Sequence, residues 1–312
     1  MDLNFSQFLK HPFKEVLLNM IRLFRAEKHY ATYKKGDVRE VKVPEGYDKV
    51  FSDYFLTHVD KDKWKYGMPW GDFHPQSLHQ YYDNDGTLSY IDTNGLNLEL
   101  KNLPKTWKKA DLPDWRRSPE MPDEFTIPTG VGFISSKETW QYGWFEAWIQ
   151  LPEGQSYWPA YWFSGLKSWP PEIDVFEGYS HMGPRYESYT LFNRWFKKPN
   201  RRIRPNLHYG QLEEGNKDDY SSYDIPVADA TKRLVQYVCH WEKDFIRIYY
   251  DGLLILETKS KNVLQWFNKP DAQQYVIFNH GLHMDYPANP DESKMIVRSF
   301  NVYQKQTENA SK

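Results

Sequence analysis

A period of two dominates the middle of this chain. In "YGWFEAWIQLP", residues 142–152, Phe145, Ala147, Ile149 and Leu151 fall on one side, and Trp144, Glu146, Trp148 and Gln150 on the other. Successive strand side chains point to opposite faces, so the pattern is that of a half-buried β-strand. "FIRIYYDGLLILE", residues 245–257, predicts a hairpin, with Asp251-Gly252 as the two-residue turn that such strands favour. "QYVIFN" (274–279) and "MIVRSFNVY" (295–303) read as further strands. Proline and glycine punctuate the chain and no repeat of fixed period is visible. Many short strands and few helices point to an all-β sandwich of two antiparallel sheets.

The first thirty residues read differently. Leu9, Phe13, Val16, Leu17, Met20, Ile21 and Phe24 follow helical spacing, with Pro12 in a plausible first turn and Lys10, Lys14, Arg22 and Arg25 on the other face. The helix has two readings: docked on the outside of the main domain, or facing a membrane surface or partner. The expected organisation is an N-terminal amphipathic helix and linker over 1–48, a β-sandwich over 49–305 and a disordered tail over 306–312. The apolar run near the start is broken by charges and precedes no small-residue cleavage site, so it does not read as a secretory signal. No stretch has the ~18 apolar residues of a membrane span.

Bulk properties narrow the classes. A formal net charge of −2 argues against a generic nucleic-acid binder. The one cysteine, Cys239, permits neither an internal disulfide nor a cysteine zinc cluster. With 13 Trp, 23 Tyr and 18 Phe the chain is rich in rings. Rings with polar edges suit sugars, whose C–H faces pack on aromatics, and they equally suit a β-rich core.

The segment "PPEIDVFEG", residues 170–178, sets Glu172, Asp174 and Glu177 on a strand of apolar residues. Glu172 and Asp174 share a face by alternation, whereas Glu177 falls on the opposite one. One extra residue, a β-bulge near Val175 or Phe176, returns Glu177 to the same face. Three acids so crowded cannot all ionise freely, and some must hold their protons at raised pH. Retaining glycoside hydrolysis uses such a state: an ionised nucleophile and a protonated acid, ~5–5.5 Å apart. The competing reading is a charged, solvent-facing strand.

Here the chain resembles glycoside hydrolase family 16, whose signature E-[I/L]-D-x-x-E is matched by Glu172 to Glu177. "SSKETWQYGWFEAWIQLPEGQSYWPAYWFSG" upstream and "YVCHWEKDFIRIYYDG" downstream resemble further family segments in the same order, and the resemblance runs over about residues 49–305. It implies a jelly-roll sandwich with a concave substrate cleft, no cofactor, and Glu172 as nucleophile, Asp174 as its assistant and Glu177 as acid/base. Members with the extra residue act on β-1,3-glucans or on galactans such as agar and carrageenan, so an endo-acting hydrolase of one of these polymers is expected. A transglycosylase of the same fold and a non-catalytic carbohydrate-binding or virion protein are the alternatives. Retention of all three acids counts against the last.

Other assignments rest on the same resemblance. Trp169 and Trp158 are candidate sugar platforms, with core packing as the rival. His208 in "NLHYG" resembles a family histidine, although "ESYTLFNRW" could supply that strand instead. Asn279 resembles a family asparagine, or serves as a structural amide. A basic run, Arg185, Arg194, Lys197, Lys198, Arg201, Arg202 and Arg204, is either a solvated loop or a contact surface for acidic polysaccharide, with Arg194 the candidate ligand. The remaining histidines, His283 included, show no metal-ligand pattern. The family is commonly secreted, which here implies a leaderless chain, release by lysis of a phage or virus host, or export by a helper. It also commonly binds one structural calcium through an aspartate at the position of Arg298, so no metal is expected there.

Overall fold

The computed structural model describes residues 39–306, except 70, 72–78, 113, 115–116, 154–156, 179–201, 212–217, 222–224, 227–229 and 283–290, together with part of a helix between 13 and 25. Two sheets pack face to face. Among the described residues, one has ten strands. Eight run in the order Leu253–Thr258, Phe245–Tyr250, Val235–Glu242, Gly143–Gln150, Ser293–Lys305, Gly95–Lys101, Thr129–Val131 and Gln80–Tyr82. Tyr47–Asp53 also pairs with Ser293–Lys305, and Ser89–Asp92 with Gly95–Lys101. The other sheet runs Asp218–Ser221, Arg202–Tyr209, Glu172–Glu177, Ala160–Gly165, Gln274–Asn279, Phe133–Trp140 and Trp64–Tyr66, with Ile225–Pro226 beside Arg202–Tyr209. Pairing is antiparallel except between Gln80–Tyr82 and Thr129–Val131. Successive strands such as Phe133–Trp140, Gly143–Gln150 and Ala160–Gly165 alternate between sheets, which is the jelly-roll winding expected from the sequence.

Alternation decides what fills the space between. Phe145, Ala147, Ile149 and Leu151 are all buried, as their parity predicts. On the opposite face Glu146, Trp148 and Gln150 are half-buried, while Trp144 is covered by His240 and Tyr249, with ring centroids 5.2 and 5.9 Å away. The core is aromatic: Tyr161 stacks on Phe278 at 4.7 Å, Phe145 meets Phe163 edge-on at 4.8 Å, and Trp64, Phe51 and Trp140 close one end. Each such ring hides ~150–250 Å², so most of the aromatic enrichment goes into joining the sheets.

The hairpin turn is as predicted. Asp251 and Gly252 both have positive φ, 51° and 76°, the left-handed pair that matches strand twist. Asp251 is buried, and its carboxylate accepts two bonds from Arg233, at 3.0 and 2.7 Å. The N-terminal segment touches this sheet. Arg22 Nη2 donates to Glu257 at 2.7 Å, a carboxylate that Arg247 also holds at 2.7 Å, and Val41 exchanges two hydrogen bonds with the Gln236 side chain. Phe13, Leu17 and Ile21 are exposed. Among the described residues no helix is long and apolar enough to cross a membrane.

Arg298 is the extra residue of a bulge: Val297 pairs with Ile149, and Ser299 with Trp148. Its Nη1 donates to the Thr93 carbonyl at 2.8 Å, so the guanidinium engages a backbone oxygen of the Asp92–Gly95 turn. A cation at that oxygen would meet like charge. Melting curves with excess chelator and with millimolar calcium should therefore coincide; a rise of several degrees on adding calcium would reveal a site built from other ligands.

Candidate active site

The Glu172–Glu177 strand carries the predicted bulge. Against Ala160–Gly165, Asp174 pairs with Trp162 and Phe176 with Tyr161, so Val175 is the extra residue. Against Arg202–Tyr209, Glu172 pairs with His208, Asp174 with Asn206 and Glu177 with Arg204, and the register shifts within the same interval. Ile173, Val175 and Phe176 are fully buried in the core. The inward sequence of these apolar residues leaves Glu172, Asp174 and Glu177 together on the outer face of the smaller sheet.

Around them the environment is graded. Glu172 is 8% and Asp174 1% exposed, whereas Glu177 is half-buried. Trp169 Nε1 donates to Glu172 Oε2 at 2.8 Å. His208 Nε2 lies 3.3 Å from both Glu172 Oε1 and Asp174 Oδ2. The Leu207 N–H donates to Asn206 Oδ1 at 3.0 Å, which turns Asn206 Nδ2 toward His208 Nε2 at 3.0 Å. That imidazole nitrogen accepts from Asn206 in the tautomer that leaves it bare, and donates to a carboxylate when it carries the proton. Glu172, Asp174 and His208 thus present three ligand atoms within 4.8 Å of one another, a donor set that a divalent cation could use. Without one, the His208 imidazole lies between the two carboxylates.

Glu177 differs from its neighbours. Burial pushes its carboxyl above the ordinary carboxylate range and the charge of Glu172 adds to this, while His208, Arg204 and a hydrogen bond from Trp158 oppose it. An acid that keeps its proton beside ionisable carboxyls is what proton donation to a leaving oxygen requires.

The other predicted residues fall as follows. Trp169 is 37% exposed, beside His208 with ring centroids 5.8 Å apart, so it flanks Glu172 with a free ring surface. Trp158 is half-buried and bonded to Glu177; it leaves no room for a side chain on residue 178, where a Cβ would come 2.5 Å from Trp158 Cα, so Gly178 must follow the acid. Asn279 accepts from Trp162 Nε1 at 2.8 Å and donates to the Trp158 carbonyl at 3.3 Å, tying two tryptophans together. Arg194, His283 and the alternative strand "ESYTLFNRW" lie outside the described residues. Trp162 and Asn206 were not singled out from sequence. Trp162 lies two residues from Ser164 and Asn206 two from His208, and Ser164 and His208 both pair with Glu172, so period-two parity puts both on its face.

The "Glycosyl hydrolases family 16" profile matches residues 77–295, well over half the chain. The chain belongs to this family. It is a glycoside hydrolase, and retention of anomeric configuration is general among family 16 enzymes. No curated protein sequence matches significantly. Solved structures share the fold at low identity. SCLam, described as a non-specific endo-β-1,3(4)-glucanase, is 22% identical over 87% of this chain and 98% of its own, with a TM-score of 0.62. A structure from work on endo-acting O-glycanases with which human gut microbiota initiate mucin breakdown gives 19%, 86%, 94% and 0.65. The catalytic domain of an endo-1,3-β-glucanase (laminarinase) from Thermotoga petrophila gives 19%, 85%, 100% and 0.61.

The raised proton affinity of Glu177 has a stability consequence. Its ordinary value is 4.5 and the folded value is higher. The folded state then holds the proton more tightly than the unfolded chain, and relative stability is lost as pH rises from the ordinary value through the raised one. Glu177→Gln removes that loss. Its Tm should exceed that of the wild type at about pH 8 and match it at about pH 4; equal melting at both would mean that Glu177 is not strained by ionisation.

Proposed function

We propose that this family 16 enzyme is an endo-acting hydrolase of β-1,3-glucan, with Glu172 as nucleophile, Asp174 as its orienting partner and Glu177 as acid/base. The observation that carries the reading is the bulge at Val175, which returns Glu177 to the face of Glu172 and Asp174. Protonated Glu177 gives its proton to the glycosidic oxygen while the Glu172 carboxylate attacks the anomeric carbon; the C–O bond breaks and a glycosyl ester forms. Glu177, now the base, takes a proton from water, which attacks the anomeric carbon of the ester; the bond from that carbon to the Glu172 oxygen breaks and frees the carboxylate. Asp174 and His208 hold the Glu172 carboxylate in place, and Trp169 supplies a donor on its other oxygen and a ring for the sugar face beside it. Sugar in place of water would make the same intermediate a transglycosylation donor.

The substrate is favoured by the glucanases among the structural relatives. A second reading, a β-galactan such as agar or carrageenan, rests on Arg204, which stands on the cleft face across from Glu177 at the end of the basic run. Such polymers do not pass through membranes, so we place the enzyme's work outside the cell.

Reducing-end release should be measured on laminarin, mixed-linkage glucan, agarose, carrageenan and mucin. Laminarin should be cut into a ladder of products; release from carrageenan alone would select the second reading. Glu177→Gln should lower polysaccharide turnover by ~10²–10⁴-fold, and Glu172→Gln should abolish it, with both folds intact. An active Glu172→Gln would end this mechanism.

Proton NMR of the first-formed product should give the β anomer. An initial α product would mean that water attacks directly, across carboxyls more widely spaced than retention allows.

A further inference from the structure

The bulge that gives Glu177 its place leaves the backbone at Val175 out of register. Val175 has no cross-strand partner on either side: Ala160–Gly165 skips it, and Arg202–Tyr209 skips it together with Phe176. The residue lying opposite on the latter strand, between Asn206 and Arg204, is Pro205, which has no N–H to offer. A buried carbonyl still needs a donor. It comes from the other sheet: the Tyr250 hydroxyl, itself fully buried, donates to the Val175 carbonyl at 2.6 Å.

Tyr250 is well placed to hold it. It ends the Phe245–Tyr250 strand, paired with Tyr237 on one side and Leu253 on the other, immediately before the Asp251-Gly252 turn that Arg233 fastens. Rings pack the same contact: Phe176, the residue after the bulge, lies 4.7 Å from Tyr237, and Tyr237 lies 5.2 Å edge-on from Tyr250.

We propose that Tyr250 is a positioning residue for the acid/base: its hydroxyl, reaching across the sandwich to the Val175 carbonyl, holds the bulge that turns Glu177 into the cleft. The proposal rests on the assignment of Glu177 made above. Tyr250 touches no substrate and acts only through the backbone between Asp174 and Glu177. Without its proton donor the bulge relaxes, Glu177 moves relative to the leaving oxygen, and displacements of about 1 Å are enough to slow a reaction ~10²-fold.

The test separates proton donation from general damage. Cleavage of polysaccharide needs its leaving oxygen protonated, whereas the dinitrophenyl β-glycoside of a β-1,3-glucan disaccharide leaves unassisted, and kcat/KM reports this first step for both. Tyr250→Phe should lower kcat/KM on laminarin by ~10-fold or more and on the dinitrophenyl substrate by less than about twofold. Para-fluorophenylalanine at position 250 fills the hydroxyl's volume without its proton; it should give the same split and covers the case in which Tyr250→Phe loses its near-UV circular dichroism. Tyr81→Phe removes a hydroxyl that donates to the Leu103 carbonyl at 2.9 Å near the opposite edge of the larger sheet, and should leave both substrates unaffected. An equal fall on both substrates, or no fall on either, overturns the role of Tyr250. Glu177→Gln serves as the reference: it should show the same split more strongly, and its absence there would mean that the assignment of Glu177 has failed rather than that of Tyr250.

Discussion

Parity governs every side chain on a strand, so the single uncounted residue at Val175 decides whether Glu177 works in a cleft or is driven into an aromatic core. Ile173 and Phe176 are both buried, yet three positions separate them, which an unbroken strand cannot accommodate on one face. The bulge resolves that conflict and the conflict among the acids in one step. It satisfies the core's demand for Phe176 and the cleft's demand for Glu177, and the rest of the site is built on the outcome. His208 and Asn206 reach Glu172 and Asp174 because the ladder is regular up to Asp174; Arg204 faces Glu177 because it resumes beyond Pro205.

A bulge in the middle of a sheet gives up ladder bonds, and this fold recovers them from outside the sheet. That explains why the sandwich matters to the chemistry and not only to stability. The aromatic layer that closes the two sheets also brings the Tyr250 hydroxyl to Val175 and sets Tyr237 against Phe176. The same burial that anchors the strand raises the proton affinity of Glu177, the strained member of the three acids. The packing that anchors the strand thus also bears on the acid strength of Glu177.

Much of this was legible in the sequence, and the limits follow from physics. Alternation at Phe145–Leu151 pointed to the sandwich, the Asp251-Gly252 pair to the hairpin, and counting across Glu172–Glu177 to a bulge near Val175 or Phe176, because each is a local pattern. The partners of the acids were harder. His208 follows Glu177 by a long basic segment, and spacing alone cannot choose which of two segments pairs with an acid strand. The role of Asn279 depends on where two tryptophan indoles end up, and Tyr250 lies 75 residues from the carbonyl it meets, in the opposite sheet. No periodicity encodes a contact between sheets.

The tryptophans show why composition could not separate a sugar site from a core. Trp64, Trp144 and Trp241 are fully buried, Trp158 and Trp162 half-buried, and Trp169 open to solvent, although all belong to the same β-domain. The three less buried ones share one feature, an indole N–H that meets a polar side chain of the candidate site. The N–H of Trp169 finds Glu172, that of Trp158 finds Glu177, and that of Trp162 finds Asn279. All three stand beside the acids or Asn279, and Trp169, 37% exposed, is the one whose ring would meet a sugar under the proposed function. On that proposal the bond from the Trp169 indole to Glu172 both holds the carboxylate and aims the ring, so one contact serves binding surface and catalytic geometry.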